Sequence, residues 1–141
     1  MKYLKKIIKL NIPLLIVLIA SCLKTDKIII SKLHPYEEVD SMGQKYKYYV
    51  VQNFEVGNKQ QFNQLKKFAN QNVDSNYNEF EGYSISFFKE SNKTPIKFVQ
   101  TESDLILWHN EDLVCTFEWK YGRFLNYYEY KKGRIIEKGK N

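Results

Sequence analysis

Short links rich in glycine and charge divide the C-terminal part of this chain, and they restrict its fold more than any other feature. Between them lie strand-length segments of β-forming residues at 105–109, 113–119, 124–130 and 134–137. The links are hairpin length, and Gly122 and Gly133 stand where a left-handed backbone is needed. Strands joined by such short turns run antiparallel. This part of the chain is therefore predicted to be an antiparallel β-meander.

An internal similarity supports these hairpins. Residues 117–124 match residues 128–135 at an offset of 11, with the two turn glycines aligned. Both copies resemble the aromatic-x-x-Gly-Lys/Arg hairpins of MORN-type repeats. Two copies are too few for a repeat solenoid, so the similarity indicates hairpins and does not identify a family.

One amphipathic helix is predicted upstream of the meander. Asn58 is placed to cap its free amides, and Gln61 follows three residues later, as in a capping box. An apolar stripe then continues at helical spacing: Phe62, Leu65, Phe68 and Ala69. Strands are predicted before the helix at 46–54 and after it at 83–87. The predicted fold class is α+β, with a single helix packed on a mostly antiparallel β-meander of about five or six strands, in the order roughly β-α-β-β-β-β.

The first 22 residues have the layout of a secretory signal. Four lysines and no acidic residue precede an apolar stretch at 12–20, which Ser21 and Cys22 close. The apolar stretch is about half the roughly 20 residues that span a bilayer. A permanent transmembrane helix is therefore the weaker interpretation.

The sequence Ile19-Ala20-Ser21-Cys22 resembles the lipobox of bacterial prolipoproteins. The resemblance covers residues 1–22 only, and the alternative is an ordinary signal peptide with a coincidental cysteine. It implies a diacylglycerol thioether on Cys22, cleavage before that residue and acylation of the new amino terminus. Leu23 stands where some lipoproteins carry the Asp that retains them in the inner membrane. The analogy therefore favours the outer membrane, with the protein facing the periplasm or the cell surface.

Cleavage before Cys22 would divide the precursor into three parts. These are a signal peptide at 1–21, a lipidated tether at 22–44 and a small α+β domain at 45–141. Residues 28–30 have the composition of a short strand, but His34-Pro35 and Gly43 interrupt the predicted tether.

Charge gives no reason to expect a nucleic-acid partner. The whole chain has a formal net charge of +6, but removing four lysines and no acid leaves 18 basic and 16 acidic residues, a net of +2. A nearly balanced exported domain lacks the basic surface that nucleic acids require.

With Cys22 used by lipid, Cys115 has no partner for an intramolecular disulfide. The domain must then be held together by its core.

No metal or cofactor signature emerges from the sequence. Asp74 begins a run of alternating oxygen ligands, but an EF-hand loop requires Gly and Glu where Glu79 and Ile85 stand. His34 has acidic neighbours, yet one histidine in a predicted tether falls short of a zinc site. We expect no bound metal and no cofactor.

Catalytic pairs are equally weak. Cys115 and His109 would need an exposed thiol within reach of the imidazole, but Cys115 alternates with apolar residues and is expected to be buried. Glycoside hydrolysis requires two carboxylates that face one cleft, and Glu118 and Glu129 are candidates because they could face each other on neighbouring strands. Charged residues on a hairpin surface are common, so neither pair predicts an enzyme.

The predicted meander has more apolar residues than one face accommodates. If Trp119 pairs with Phe124 and His109 with Leu113, strict alternation creates two apolar faces. One face holds Leu105, Leu107, Leu113, Cys115, Phe117, Trp119, Phe124 and Tyr128. The other holds Ile106, Trp108, Val114, Thr116, Leu125 and Tyr127. A single helix covers only one of them, so the second must meet residues 28–30, another subunit, a partner or a ligand.

These observations lead to a functional hypothesis. The candidate partner or ligand face comprises Ile106, Trp108, Val114, Leu125 and Tyr127. The first hypothesis is a membrane-anchored, non-enzymatic module that binds an envelope protein or polymer. The alternatives are a small envelope hydrolase and an immunity-type inhibitor lipoprotein.

Overall fold

The computed structural model describes residues 27–91 and 110–140, with the backbone alone at residues 34–36. Its elements are, in chain order, β1 (Ile29–Val39), β2 (Gln44–Gln52), α1 (Lys59–Gln71), a 3-10 turn (Tyr77–Glu79), β3 (Gly82–Lys89), β4 (Leu113–Lys120), β5 (Arg123–Lys131) and β6 (Arg134–Gly139). The six described strands form one sheet in the order β1-β2-β3-β4-β5-β6. Neighbouring strands are antiparallel except β2 and β3. The predicted α+β fold, with one helix on a mostly antiparallel sheet, is confirmed.

The parallel pair follows from the position of the helix in the chain. Because α1 connects β2 to β3, the chain crosses back over the sheet, and both strands begin at the same end. Gln44 accordingly lies opposite Gly82.

The ends of α1 are held by side chains. Asn58 Oδ1 accepts hydrogen bonds from the backbone N–H groups of Gln60 and Gln61, as predicted for the N-cap. The Gln61 side chain does not complete a capping box. It reaches back instead to the preceding loop, where it accepts from the Glu55 N–H and donates to the Asn53 carbonyl.

None of the helices formed by the described residues has the length and apolar composition of a membrane span.

The main core lies between α1 and one face of the sheet. Leu65 and Ala69 of the helix are fully buried against it. Aromatic rings fill the interface: Phe62 lies 5.6 Å from Phe117, and Phe68 lies 5.0 Å from Tyr49 between ring centroids. Burial of such large rings provides much of the apolar stabilisation of this domain.

The face of the sheet opposite α1 is called here the open face. Near the end of the sheet where β1 begins, it carries a second buried cluster: Leu33, Tyr48, Phe88 and Leu113. The two faces together account for the apolar excess noted in the sequence.

The internal repeat encodes two hairpins of the same construction. In the β4–β5 turn, Tyr121 and Gly122 have φ values of 48° and 72°, and in the β5–β6 turn Lys132 and Gly133 have 52° and 72°. Both are two-residue turns with a left-handed backbone at each central position. Trp119 lies opposite Phe124, as assumed from the sequence.

Each hairpin also contains a β-bulge, at the same distance from its turn. Leu125 is the extra residue in β5, and Ile136 is the extra residue in β6. A third irregularity, between β3 and β4, leaves Val114 as an extra residue. Each bulge interrupts the alternation of side chains between the two faces.

The bulges correct the predicted face assignments. Leu113 joins the open-face cluster, whereas Val114 packs in the helix-side core. Tyr127 also packs on the helix side, and Tyr128 lies opposite Thr116 on the open face. Strict alternation had placed these four residues on the opposite faces.

The sheet begins before residue 45, the predicted start of the folded domain. Instead of a tether extending to residue 44, Ile29–Val39 forms strand β1 and pairs with β2. Ile28 and Ile30 contribute to the helix-side core, and Leu33 to the open-face cluster. Residues 28–30 therefore do not serve as the cover of the second face.

Candidate functional site

Four polar side chains form a row across the open face. Tyr46 of β2 lies opposite Ser84 of β3, which lies opposite Glu118 of β4. Glu118 in turn lies opposite Asn126 of β5. Directly opposed residues project to the same face, and neighbouring strands are about 4.8 Å apart. The polar row therefore runs perpendicular to the strands.

A cavity of about 310 Å³ opens along three members of this row, Tyr46, Ser84 and Glu118. Its lining includes Gln44, Tyr46, Ser84, Glu118, Lys120 and Leu125. It lies at the end of the sheet where β2 and β3 begin, and Tyr46 separates it from the apolar cluster of the open face. Its volume falls at the lower end of the range for small-molecule sites.

Two buried polar atoms of the row lack a hydrogen-bond partner among the described residues. They are Ser84 Oγ and Asn126 Oδ1, whose residues are only 8% and 7% exposed. The Asn126 amide nitrogen donates to the Tyr128 hydroxyl at 3.4 Å. A buried polar group without a partner costs about 1–3 kcal/mol. Such groups in a folded protein require an explanation, and a binding site is one.

The next row of the open face contains a serine whose hydroxyl, unlike that of Ser84, has a hydrogen-bond partner. Ser86 occupies the same strand and face as Ser84, one pair of residues further along, and its Oγ lies 3.0 Å from Thr116 Oγ1. Both groups are therefore satisfied within the sheet. Ser86 and Thr116 stabilise the sheet, whereas Ser84 Oγ has no such partner among the described residues.

The β1–β2 turn holds Tyr46 in position. Asp40 Oδ1 accepts from the backbone N–H groups of Met42 and Gln44, at 2.9 Å each. The Tyr46 hydroxyl lies within hydrogen-bonding distance of Asp40 Oδ2 and Gln44 Oε1, at 3.1 and 3.0 Å. The Gln44 N–H is the main cause of the lowered pKa of Asp40, with Met42 and Tyr46 adding to it against the opposing effect of burial. The ionised Asp40 carboxylate of the turn therefore orients the Tyr46 side chain at the cavity.

Charge around the cavity is mixed. Glu118 is half-buried, and none of the ion pairs between described residues includes it. Glu81 and Lys120 are exposed at the rim, and the Lys120 ammonium lies 5.3 Å from the Tyr121 ring centroid. The lining thus combines carboxylates, one side-chain amide, hydroxyls and one ammonium.

Cys115, which the sequence already indicated to be a buried residue and not a nucleophile, does not lie at the cavity. Cys115 is fully buried in the helix-side core, where burial and then the charge of Glu129 raise its thiol pKa well above the usual value. His109 lies outside the described residues. A protonated, enclosed thiol is a poor nucleophile.

Glu118 and Glu129 do not form a carboxylate pair. Glu118 lies on the open face, whereas Glu129 is buried on the helix side and accepts a 2.7 Å hydrogen bond from the Gly57 N–H. Their register partners are Asn126 and Cys115. The sequence alone did not place these two acids on opposite faces of the sheet.

The acidic residues considered for metal binding have other partners. Asp74 pairs with Lys45, at 2.8 Å, and with Lys47, while Glu37 pairs with Lys45 at 3.4 Å. Asp40 holds the β1–β2 turn. The described residues contain no group of three or more His, Cys, Asp or Glu side chains suited to a metal ion.

The candidate partner face is redistributed by the bulges. Leu125 lines the cavity, with 42% of its surface exposed. Val114 and Tyr127 lie on the helix side. Ile106 and Trp108 lie outside the described residues. Of the three described residues of this face, Leu125 alone lines the cavity.

Sequence reasoning did not single out Ser84, Asn126 or Tyr46. The alternation of residues 83–87 had placed Ser84 and Ser86 together on the face away from the apolar side chains. Nothing in that pattern distinguishes a serine with a partner from one without.

No protein-family model, curated protein or solved structure matches the chain.

Proposed function

We propose that this chain is the precursor of an exported envelope lipoprotein, anchored through Cys22, whose α+β domain is a binding module. The lipobox-like sequence at residues 19–22 supports the anchor. The observation that carries the binding role is the cavity lined by Ser84, a buried side chain whose hydroxyl lacks a partner among the described residues. The partner would be a protein or polymer of the envelope.

The position of the cavity suits a protein held at a membrane. β1 begins at the end of the sheet where β2 finishes, because Ile29 lies opposite Gln52. The cavity lies at the opposite end, beside Gln44 and Gly82. Along the nine residues of β2 the two ends are about 26 Å apart. An anchored domain would therefore present the cavity away from the lipid.

The length between the anchor and the sheet is also limiting. Six residues separate Cys22 from Ile29, and the seven Cα–Cα steps between the two residues span at most about 25 Å when the chain is fully extended. The domain would remain close to the bilayer, where it meets other envelope components.

The described residues of the cavity support a binding role better than a catalytic one. The cavity lining contains no cysteine or histidine among the described residues. The only described cysteine, Cys115, is enclosed in the core on the other side of the sheet. The two acids considered for glycoside hydrolysis lie on opposite faces.

Lipidation is tested by labelling cells with radioactive palmitate. The wild-type protein should incorporate label, and Cys22→Ala should incorporate none. Cys115→Ala, which removes the other cysteine of the chain, is the matched control and should still be labelled. An unlabelled wild type, or equal labelling of Cys22→Ala, would rule out the anchor.

Binding through the cavity is tested by retention of the purified protein on envelope extract. Leu125→Trp enlarges a partly exposed side chain at the cavity and should reduce retention. Ile135→Trp, at a residue 55% exposed on β6, provides the control and should be retained like the wild type. Equal retention of both variants would contradict a role for the cavity.

A further inference from the structure

We infer that the cavity binds a polyol, specifically a sugar ring of an oligosaccharide. The inference rests on the proposed function, since it names the ligand class of the same cavity. Three features of the lining carry it: its hydrogen-bonding groups, their spacing and the apolar surface beside them.

The hydrogen-bonding groups suit hydroxyls. In the lining, Ser84 donates and accepts, Glu118 accepts and the Gln44 amide does both. The Tyr46 hydroxyl, which donates to Asp40 or Gln44, can still accept. A sugar hydroxyl also donates and accepts, so it can be satisfied by any of these groups. The alternation of such groups along the polar row matches a ligand with several hydroxyls.

Charged ligands fit less well. A phosphate or carboxylate requires cationic donors, but Lys120 is the one cationic side chain in the lining among described residues, and Glu81 and Glu118 oppose it. Glu81 and Glu118 would attract an alkylammonium ion, but such an ion only donates and would leave the buried Ser84 O–H without an acceptor. A neutral ligand avoids both penalties.

The geometry of the row suits a ring. Its members lie on adjacent strands about 4.8 Å apart, a separation comparable with the width of a hexose. A sugar ring therefore reaches two or three of these side chains at once. The cavity volume of about 310 Å³ accommodates a unit of this size.

Apolar surface lies next to the polar row. Leu125 is 42% exposed, and the half-buried Tyr46 ring stacks on Tyr48 with an interplanar angle of 2°. Sugar rings have one C–H-rich face, which packs on such surfaces while the hydroxyls bond at the edge. Polar and apolar groups of the cavity would therefore be used together.

The test is calorimetric titration of the full lipidated chain, purified in a detergent without a sugar headgroup. The probes are a β-1,4-linked N-acetylglucosamine tetrasaccharide, maltotetraose and n-butylammonium chloride. At least one tetrasaccharide should bind, with an affinity that changes little between low and high salt. The ammonium salt should not bind.

Two serine variants separate the ligand site from the sheet. Ser84→Ala removes an unpartnered hydroxyl, so it should leave the melting temperature unchanged or raised, while the affinity falls about tenfold. Ser86→Ala breaks the pair with Thr116, so it should lower the melting temperature with an affinity within about twofold of wild type. The two variants thus have opposite effects on stability and binding.

Several outcomes overturn the inference. Heat with n-butylammonium alone, lost in Glu118→Gln and at high salt, would assign the cavity to a cation. Absence of tetrasaccharide binding by a chain that is still retained on envelope extract would reject the polyol and leave the proposed binding function standing. A chain that binds no tetrasaccharide and is not retained on envelope extract would contradict the proposed function as well.

Discussion

At the scale of single residues, hydrogen-bond partners separate structural polar groups from available ones. Ser86 and Ser84 have the same chemistry, strand and face, but only Ser86 has a partner in the sheet.

Lys47 is a buried charged residue whose ammonium group is held by hydrogen bonds. It is 4% exposed, and it donates to Asp74 and to the Asn72 carbonyl at the C-terminal end of α1.

This lysine site leads to a prediction about pH. Burial alone would raise the pKa of Asp74, but the hydrogen bonds and charges of Lys45 and Lys47 outweigh it and lower the pKa. A carboxyl whose pKa is lower in the folded state stabilises the protein above its unfolded pKa, and this contribution is lost as the pH falls through the folded value. Asp74→Asn should therefore lower the free energy of unfolding by about 3 kcal/mol at pH 7, because buried Lys47 loses its counter-ion.

Urea denaturation across pH measures both effects. The difference between wild type and Asp74→Asn should shrink below about pH 4, where Asp74 of the unfolded chain becomes protonated. Glu55→Gln, at an exposed acid, is the control and should stay within about 0.5 kcal/mol of wild type. A difference between wild type and Asp74→Asn that is independent of pH would contradict the assignment.

At the scale of elements, the duplicated hairpin is the main unit. Both copies combine a turn of two left-handed residues with a bulge on the second strand. The turns were readable from the aligned glycines. The bulges were not, and they decide which side chains of β5 face the cavity and which face α1.

The turn geometry predicts substitutions of opposite sign within one hairpin. Lys132 has a φ of 52°, so Lys132→Asn should raise stability by roughly 0.5 kcal/mol, because Asn adopts this conformation more readily. Gly133→Ala should lower it by about 1–2 kcal/mol, since a Cβ is disfavoured at a φ of 72°. Thermal unfolding of the two variants checks the signs. A decrease for Lys132→Asn or an increase for Gly133→Ala would contradict the turn type.

At the scale of the whole molecule, β1 belongs to the folded domain. It supplies Leu33, which is 2% exposed, to the open-face cluster, and it covers one edge of β2. Without it, that edge of the sheet would lose its backbone partner. The cavity and the start of β1 then define the two ends of the domain.

The position of β1 predicts the minimal folding unit. A chain that begins at Lys27 should fold cooperatively, whereas one that begins at Lys45 should not. Burying one residue such as Leu33 is worth about 2–5 kcal/mol, and β1 contributes several contacts to a domain whose total stability is about 5–15 kcal/mol. Circular dichroism during heating distinguishes the two. A cooperative transition in the shorter chain would show that β1 is dispensable.

Local signals in the sequence were sufficient for the helix, the hairpin turns and the α+β class. The cap at Asn58, the apolar stripe of α1 and the two turn glycines each act over a few residues, so they can be read without knowing the neighbours in space. The burial of Cys115 was also expected from its alternation with apolar residues, and it lies in the core. The export signal and the lipid on Cys22 stay predictions of the same local kind.

The tertiary structure decided the membership of β1 and the composition of the cavity. A bulge adds one residue to a strand and reverses the alternation beyond it, so Val114 and Tyr127 moved to the helix side while Leu125 reached the cavity. Whether Ser84 and Asn126 have partners depends on residues brought together from other strands. Sequence determined which segments form elements, because that depends on local periodicity. Only the packing of those elements determined which polar atoms were left without a partner.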